Sequence, residues 1–167
     1  MLVYHRFVVN PESSQPDATG RILAIDFGLV RVGLALSDAL GITAQGLETL
    51  QRTNKEADFR HIEQLAGEHS VVRVIVGHPI SHSSEETEMS RRAVRFADEL
   101  QARLDLPVEL WDERLSSLEA DRSLQEAGLQ RRKRRQARDR VAAQIILQSY
   151  LDRRAYRRQQ LGARAAP

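Results

Sequence analysis

The stretch that decides the fold is Arg21-Ile22-Leu23-Ala24-Ile25-Asp26-Phe27-Gly28, which continues through Arg31-Val32-Gly33 to Ser37-Asp38. It is an apolar, β-prone run with a carboxylate near its end and a glycine two residues later. A bare charge at the end of a core strand is costly unless something positive sits beside it. Asp26 is therefore the first candidate for chemistry, and a metal ion is the first candidate for its partner. The competing reading is a strand-end Asp that caps a turn or pairs with Arg31.

Working outward, residues 21–27 and 30–37 predict two strands joined by a tight link at Gly28, the spacing of a hairpin. A third, weaker strand is expected over 43–52. The period then changes. Asn54 is placed to cap a helix over 55–69, with Phe59, Ile62, Leu65 and Ala66 on one side. Val71 to Val76 is a nearly continuous apolar run, as in a strand covered on both faces, with Gly77-His78-Pro79 as its stop. A helix is predicted over 86–104 and a strand over 107–112. Ser116 and Glu119 have capping-box spacing ahead of another helix ending near Gly128. The last helix is expected over 135–157. Three strands followed by helix–strand units imply an α/β protein. Its mixed five-stranded central sheet would have a three-strand antiparallel meander plus two parallel strands, with helices on both faces.

The chain has 167 residues, enough for one domain with a substantial core. Residues 1–20, with the loop-like Asn10-Pro11-Glu12-Ser13-Ser14-Gln15-Pro16-Asp17, read as a flexible extension, 21–157 as the domain, and 158–167 as a basic tail. The 41% hydrophobic and 29% charged content predicts a soluble protein. No stretch approaches a membrane span, and no secretory pattern opens the chain. There is no cysteine, which excludes disulfides, thiolate zinc sites and thiol nucleophiles and agrees with a cytoplasmic location.

The net charge of +2 conceals an asymmetry. Between Arg131 and Arg164 there are twelve Lys or Arg against two acids, Asp139 and Asp152, so that segment carries +10; the remainder has 13 bases against 21 acids, or −8. Such a segment attracts polyanions with a steep salt dependence. Its densest part is Arg131-Arg132-Lys133-Arg134-Arg135. A run of this kind is ordinarily solvated surface. Here it leads into the helix that carries Asp139, which suits it to grip phosphates.

Two further carboxylates stand out. Glu113, in Leu110-Trp111-Asp112-Glu113-Arg114, leaves a strand at the edge where ligands of open α/β sheets gather. A local ion pair with Arg114 is the plain alternative, and Asp112 competes with Glu113 because strand neighbours face opposite ways. Asp139 shares a helix face with Ala142, Ala143, Ile146 and Tyr150, the core-directed face. A first-turn acid favoured by the helix dipole is the alternative there. Three carboxylates converging on one site would form an all-oxygen donor set suited to Mg²⁺ or Mn²⁺. Two such ions serve phosphodiester cleavage without a general-base histidine. Arg31 and Arg114 are candidate phosphate contacts. His78 and Ser81 are candidate substrate contacts from a loop. His82 lies four residues after His78, but Pro79 rules out helical metal-pair spacing. Trp111 reads as core.

These residues, in this order, resemble the YqgF family, also called RuvX. The likeness rests on Asp26-Phe27-Gly28…Arg31-Val32-Gly33…Ser37-Asp38, Ile75-Val76-Gly77-His78-Pro79, Asp112-Glu113-Arg114-Leu115-Ser116, and Asp139…Ala142-Ala143…Ile146-Leu147-Gln148…Tyr150-Leu151-Asp152. It covers about residues 21–153. The resemblance implies an RNase H-like fold and assigns metal-binding, catalytic roles to Asp26, Glu113 and Asp139. It implies a cytoplasmic nuclease maturing the 5′ end of pre-16S ribosomal RNA, with junction resolution in DNA as the older proposal. This chain departs from the family pattern at His78 and at Ser81-His82-Ser83-Ser84-Glu85, where an apolar residue and an Asn-x-Asp-Gly-like loop are usual.

Three functions follow as alternatives. RNA is favoured as the substrate of a metal-dependent nuclease, with no membrane partner and a monomer or homodimer as the working unit. A resolvase of branched DNA would need a dimer presenting two sites. A non-catalytic RNA-binding assembly factor would need only the basic segment, and the three acids argue against it. Sugar kinases and actin-like ATPases also open on Asp-x-Gly, but they need two large domains.

Overall fold

The computed structural model describes residues 20–80, 87–115 and 131–165, with only the backbone of 115, 131–139 and 164–165. Strands β1 (Arg21–Phe27) and β2 (Arg31–Ser37) form an antiparallel pair, with Asp26 opposite Gly33. Gly28 is required at their link, since a Cβ there would collide with the Arg31 carbonyl oxygen. The third strand is broken into β3 (Ala44–Gly46) and β4 (Leu50–Gln51), both paired with β2. The expected continuous strand over 43–52 is thus interrupted at 47–49. The Leu47 N–H nevertheless still reaches the Leu34 carbonyl.

Strands β5 (Val71–His78) and β6 (Val108–Asp112) add in parallel beyond β1. The sheet order is β3-β2-β1-β5-β6, with β4 also on β2. Strand β5 does not stop at Val76. It runs through Gly77 and His78, which pair with Trp111 and Asp112 of β6. Pro79, which cannot donate to a ladder, ends it.

Helices α1 (Lys55–Glu68) and α2 (Glu88–Arg103) cover one face. Asn54 caps α1 by accepting from the Ala57 N–H, and Thr87 caps α2 by accepting from the Ser90 N–H. The odd-numbered side chains of β1 face these helices: Leu23, Ile25 and Phe27 join Phe59, Ile62, Phe96 and Leu100 in the larger core cluster. Phe27, Phe96 and Phe59 stack in sequence, with centroids 4.8 and 5.1 Å apart. Each such side chain contributes about 1.5–3 kcal/mol when fully buried. Arg52 secures the hairpin link, donating to the Gly28 carbonyl and to the buried Asp58 while its guanidinium lies over Phe27.

The even-numbered residues of β1 face the other way, towards the long helix α3 (Arg131–Ala165). Ile22, Ala24, Ala35, Ile75 and Trp111 pack there against Ala143, Ile146, Leu147, Tyr150 and Leu151. The alanines let the helix sit close to the sheet. Helix α3 starts before and ends after the expected 135–157, because the flanking Arg, Lys, Gln and Ala residues are all good helix formers. Among the described residues no helix is long and apolar enough to cross a membrane. The helix expected after Ser116 lies outside the described residues.

Candidate active site

Alternation along β1 puts Asp26 on the α3 face, in the parity of Ile22 and Ala24, at the strand's carboxyl end. Glu113 reaches the same place from the 3₁₀ turn 113–115 that follows β6. Its carboxylate lies over Gly77: a Cβ on that glycine would sit 2.6 Å from Glu113 Oε1 and 2.9 Å from Ile146 Cδ1. The absence of a side chain at 77 is what leaves room for the acid between β5 and α3. Sequence reading took Gly77 only as a stop signal, although a glycine inside an apolar strand also marks close approach of another group.

Glu113 is pushed up to about 7, first by burial, then by the negative charges of Asp26 and Asp112. Asp26 is therefore held close enough, in a partly shielded place, to oppose the ionisation of Glu113. That strain is what a divalent cation relieves, and the oxygen-only donors of Asp26 and Glu113 fit a hard one.

Asp112 and Glu113 point different ways. Asp112 turns to Arg114, whose Nε lies 3.0 Å from both carboxylate oxygens and whose Nη2 lies 2.6 Å from Oδ2; the Arg114 backbone N–H donates as well. Burial alone would raise the Asp112 carboxyl. Arg114, assisted by the nearby His78, more than offsets this and holds it below the ordinary carboxylate range. The ion pair to Arg114 belongs to Asp112, so the local-pair reading of Glu113 does not hold in the form expected.

Asp139 falls in α3 one turn before Ala143 and two before Ile146, the residue that touches the Gly77 position. Its side chain lies outside the described residues, as do those of Arg131, Arg132, Lys133, Arg134 and Arg135 in the first turns of the same helix. Among the described residues no group of three or more His, Cys, Asp or Glu could hold a metal ion. Arg31 opens β2 opposite Gln51 and is partly buried. Arg114 is exposed.

His78 requires a correction. It is the last residue of β5, in a strand and not a loop, and is buried. Its parity is that of Val74 and Val76, so it faces α2, where Nε2 lies 2.6 Å from the buried Ser90 Oγ. Asp26 and Glu113 are on the opposite face. Ser81 lies outside the described residues. Ser37 and Asp38 serve structure: Ser37 Oγ accepts from the Ile22 N–H, and Asp38 accepts from the N–H groups of Ile42 and Thr43 at a turn where Gly41 adopts φ +66°. Trp111 is core, as expected, with its ring edge against Tyr150 and Nε1 donating to Ser149 Oγ.

Against known proteins, the model of the RuvX family, described as Holliday junction resolvase, matches residues 20–153. A protein of Koribacter versatilis (strain Ellin345) named "Putative pre-16S rRNA nuclease" is 44% identical over 147 residues, 87% of this chain and 96% of its own. A protein of the same name from Halothermothrix orenii (strain H 168) is 45% identical over 132 residues, 79% of this chain and 94% of its own. Among solved structures, Thermus thermophilus RuvC in complex with a Holliday junction substrate aligns at 14% identity and TM-score 0.48, over 78% of this chain and 94% of that one.

Proposed function

The chain belongs to the RuvX family, and on that premise we propose that it is a cytoplasmic nuclease that hydrolyses phosphodiester bonds in structured RNA, at the 5′ end of pre-16S ribosomal RNA. Asp26, Glu113 and Asp139 would hold divalent cations, Mg²⁺ or Mn²⁺. When bound, such ions neutralise the scissile phosphate and sharpen a water for attack. The observation that carries this reading is the juxtaposition of Asp26 and Glu113, both partly buried, at one end of the sheet, with Glu113 pushed up to about 7. Asp26 supplies a fixed negative site beside the reacting phosphate. Glu113 holds or releases a proton at its carboxylate near neutral pH. Arg31, Arg114 and the segment 131–135 hold neighbouring phosphates and so set the strand's position.

Asp26→Asn tests it. Cleavage should fall by about a hundred- to a thousandfold, the effect of losing a transition-state charge partner, while RNA binding and the melting temperature stay near wild type. Full retained activity would refute the assignment. Calorimetry with Mn²⁺ separates the nuclease from a non-catalytic binding factor, because a scaffold would show no uptake that depends on these carboxylates.

The family model's description favours a second reading, cleavage of four-way DNA junctions. Matched RNA, single-stranded DNA and four-way DNA in Mg²⁺ and in Mn²⁺ decide between them. The resolvase reading requires a preference for the junction and a dimer under assay conditions.

A further inference from the structure

The last core residue of α3 is Leu151, yet the helix continues to Ala165. At about 1.5 Å per residue it overhangs the core by about 20 Å. The match to the family model ends at 153. Residues 153–165 hold five arginines (153, 154, 157, 158 and 164) and no acid. Arg153 and Arg157 take part in none of the salt bridges among the described residues. The nearest acid, Asp152, accepts from Gln148.

The arginines fall in a particular register. Asp139, Ala143, Ile146 and Tyr150 step by four, three and four residues, and the same stepping continues as Arg153, Arg157, Gln160 and Arg164. One stripe of α3 therefore runs from the proposed metal ligand, across the core, into basic residues. Beyond Leu151 this stripe turns polar: Arg153 and Gln160 are exposed and Arg157 is partly so.

We infer that this overhang is a second nucleic-acid contact, binding the phosphate backbone of a double-stranded RNA stem that flanks the cleavage site. The inference rests on the nuclease reading for the identity of the polyanion. Charge complementarity selects the occupant. A second copy docked through the same face would bring like charge against like charge. A lipid surface would need an apolar face beside the basic one, and the large apolar residues here, Tyr156 and Leu161, lie on different sides of the helix. Single strands are held by rows of stacked aromatics, and Tyr156 stands alone. Arg153 and Arg157 lie 14 and 18 residues from Asp139, or about 21 and 27 Å along the helix. Even at the B-form rise of about 3.4 Å per base step a stem must exceed about six to eight base pairs to reach them, and an A-form RNA stem, which rises less per step, must be longer still.

The test compares wild type with the Arg153→Ala/Arg157→Ala double variant on two RNA substrates. One has a stem of about 5 base pairs beside the cleavage site and the other about 20, spanning the reach above. Binding is measured in EDTA as a function of salt, and cleavage in Mn²⁺. On the long stem the variant should lose about 2 from the slope of log affinity against log salt, about 0.9 per phosphate contact. On the short stem it should match wild type in binding and in kcat. Arg153→Lys/Arg157→Lys should keep the slope, and thermal melts check folding. Equal slopes on both stems, or the same loss on both, would overturn the proposal. So would a slope change seen only on duplex DNA or on anionic vesicles. If no substrate is cut by wild type while the stem-length effect persists, the nuclease reading fails and the contact stands.

Discussion

Between pH 4.5 and about 7 the native protein holds a proton on Glu113 that the unfolded chain has already released. Because the folded state then binds more protons than the unfolded one, stability falls as pH rises through that window. The full swing is about 3 kcal/mol at 1.36 kcal/mol per pH unit. Melts in EDTA from pH 4.5 to 8 should show this decline, and Glu113→Gln should flatten it. Mn²⁺ should reverse the decline. Its affinity should climb with pH up to about 7 and level off above, since the ion must displace that proton. Asp26 was legible in the sequence because a charge interrupts an apolar run. Glu113 was not separable from Asp112 there, since the two differ only in which face of the sheet they take. That face is fixed by the pairing of His78 with Asp112, a long-range fact with no local signature. The ion pair joining Arg52 to Asp58 was likewise hidden in the sequence.

At the scale of elements, capping and cradling have different consequences. Asn54→Ala removes the oxygen that accepts from the Ala57 N–H, and should cost about 1 kcal/mol in denaturant unfolding while leaving cleavage intact. Gly77→Ala drives a methyl into Glu113 Oε1 and Ile146 Cδ1. Overpacking of that kind costs about 1–3 kcal/mol, but its main effect should be a loss of Mn²⁺ affinity and at least about tenfold in cleavage, as the acid is displaced. A drop in stability with unchanged metal uptake would show that Gly77 serves packing alone. Most elements were readable: the Asn54 cap, the apolar stripes of α1 and α2, and the strand alternation all have local causes, whereas the Thr87 cap was not read, the helix being expected from 86. The break in the third strand was not readable, because β3 and β4 are three and two residues long and are held by pairing to β2. Nor were the ends of α3, where no glycine or proline marks a boundary between 131 and 161.

On the scale of the whole molecule, the sheet separates a larger aromatic-rich core under α1 and α2 from a thinner one under α3, and the candidate site belongs to the thinner side. Replacing Arg132 and Lys133 should weaken binding across RNA sequences and flatten its salt dependence by about 1 per lost phosphate contact; an unaltered slope would remove them from the interface. The mixed sheet with helices on both faces followed from the order of the elements, whereas the directions of the basic side chains at the start of α3 do not follow from composition. Trp111, the only tryptophan in the chain, gives this thinner side an optical signal of its own. It is two residues from Glu113, with its indole against Tyr150 and bonded to Ser149 of α3. Its emission should therefore report how firmly the long helix is seated over the candidate site. A red shift at denaturant concentrations that leave the far-ultraviolet dichroism intact would reveal the helix lifting before the fold collapses, and a dye-free titration with Mn²⁺ would follow it settling back.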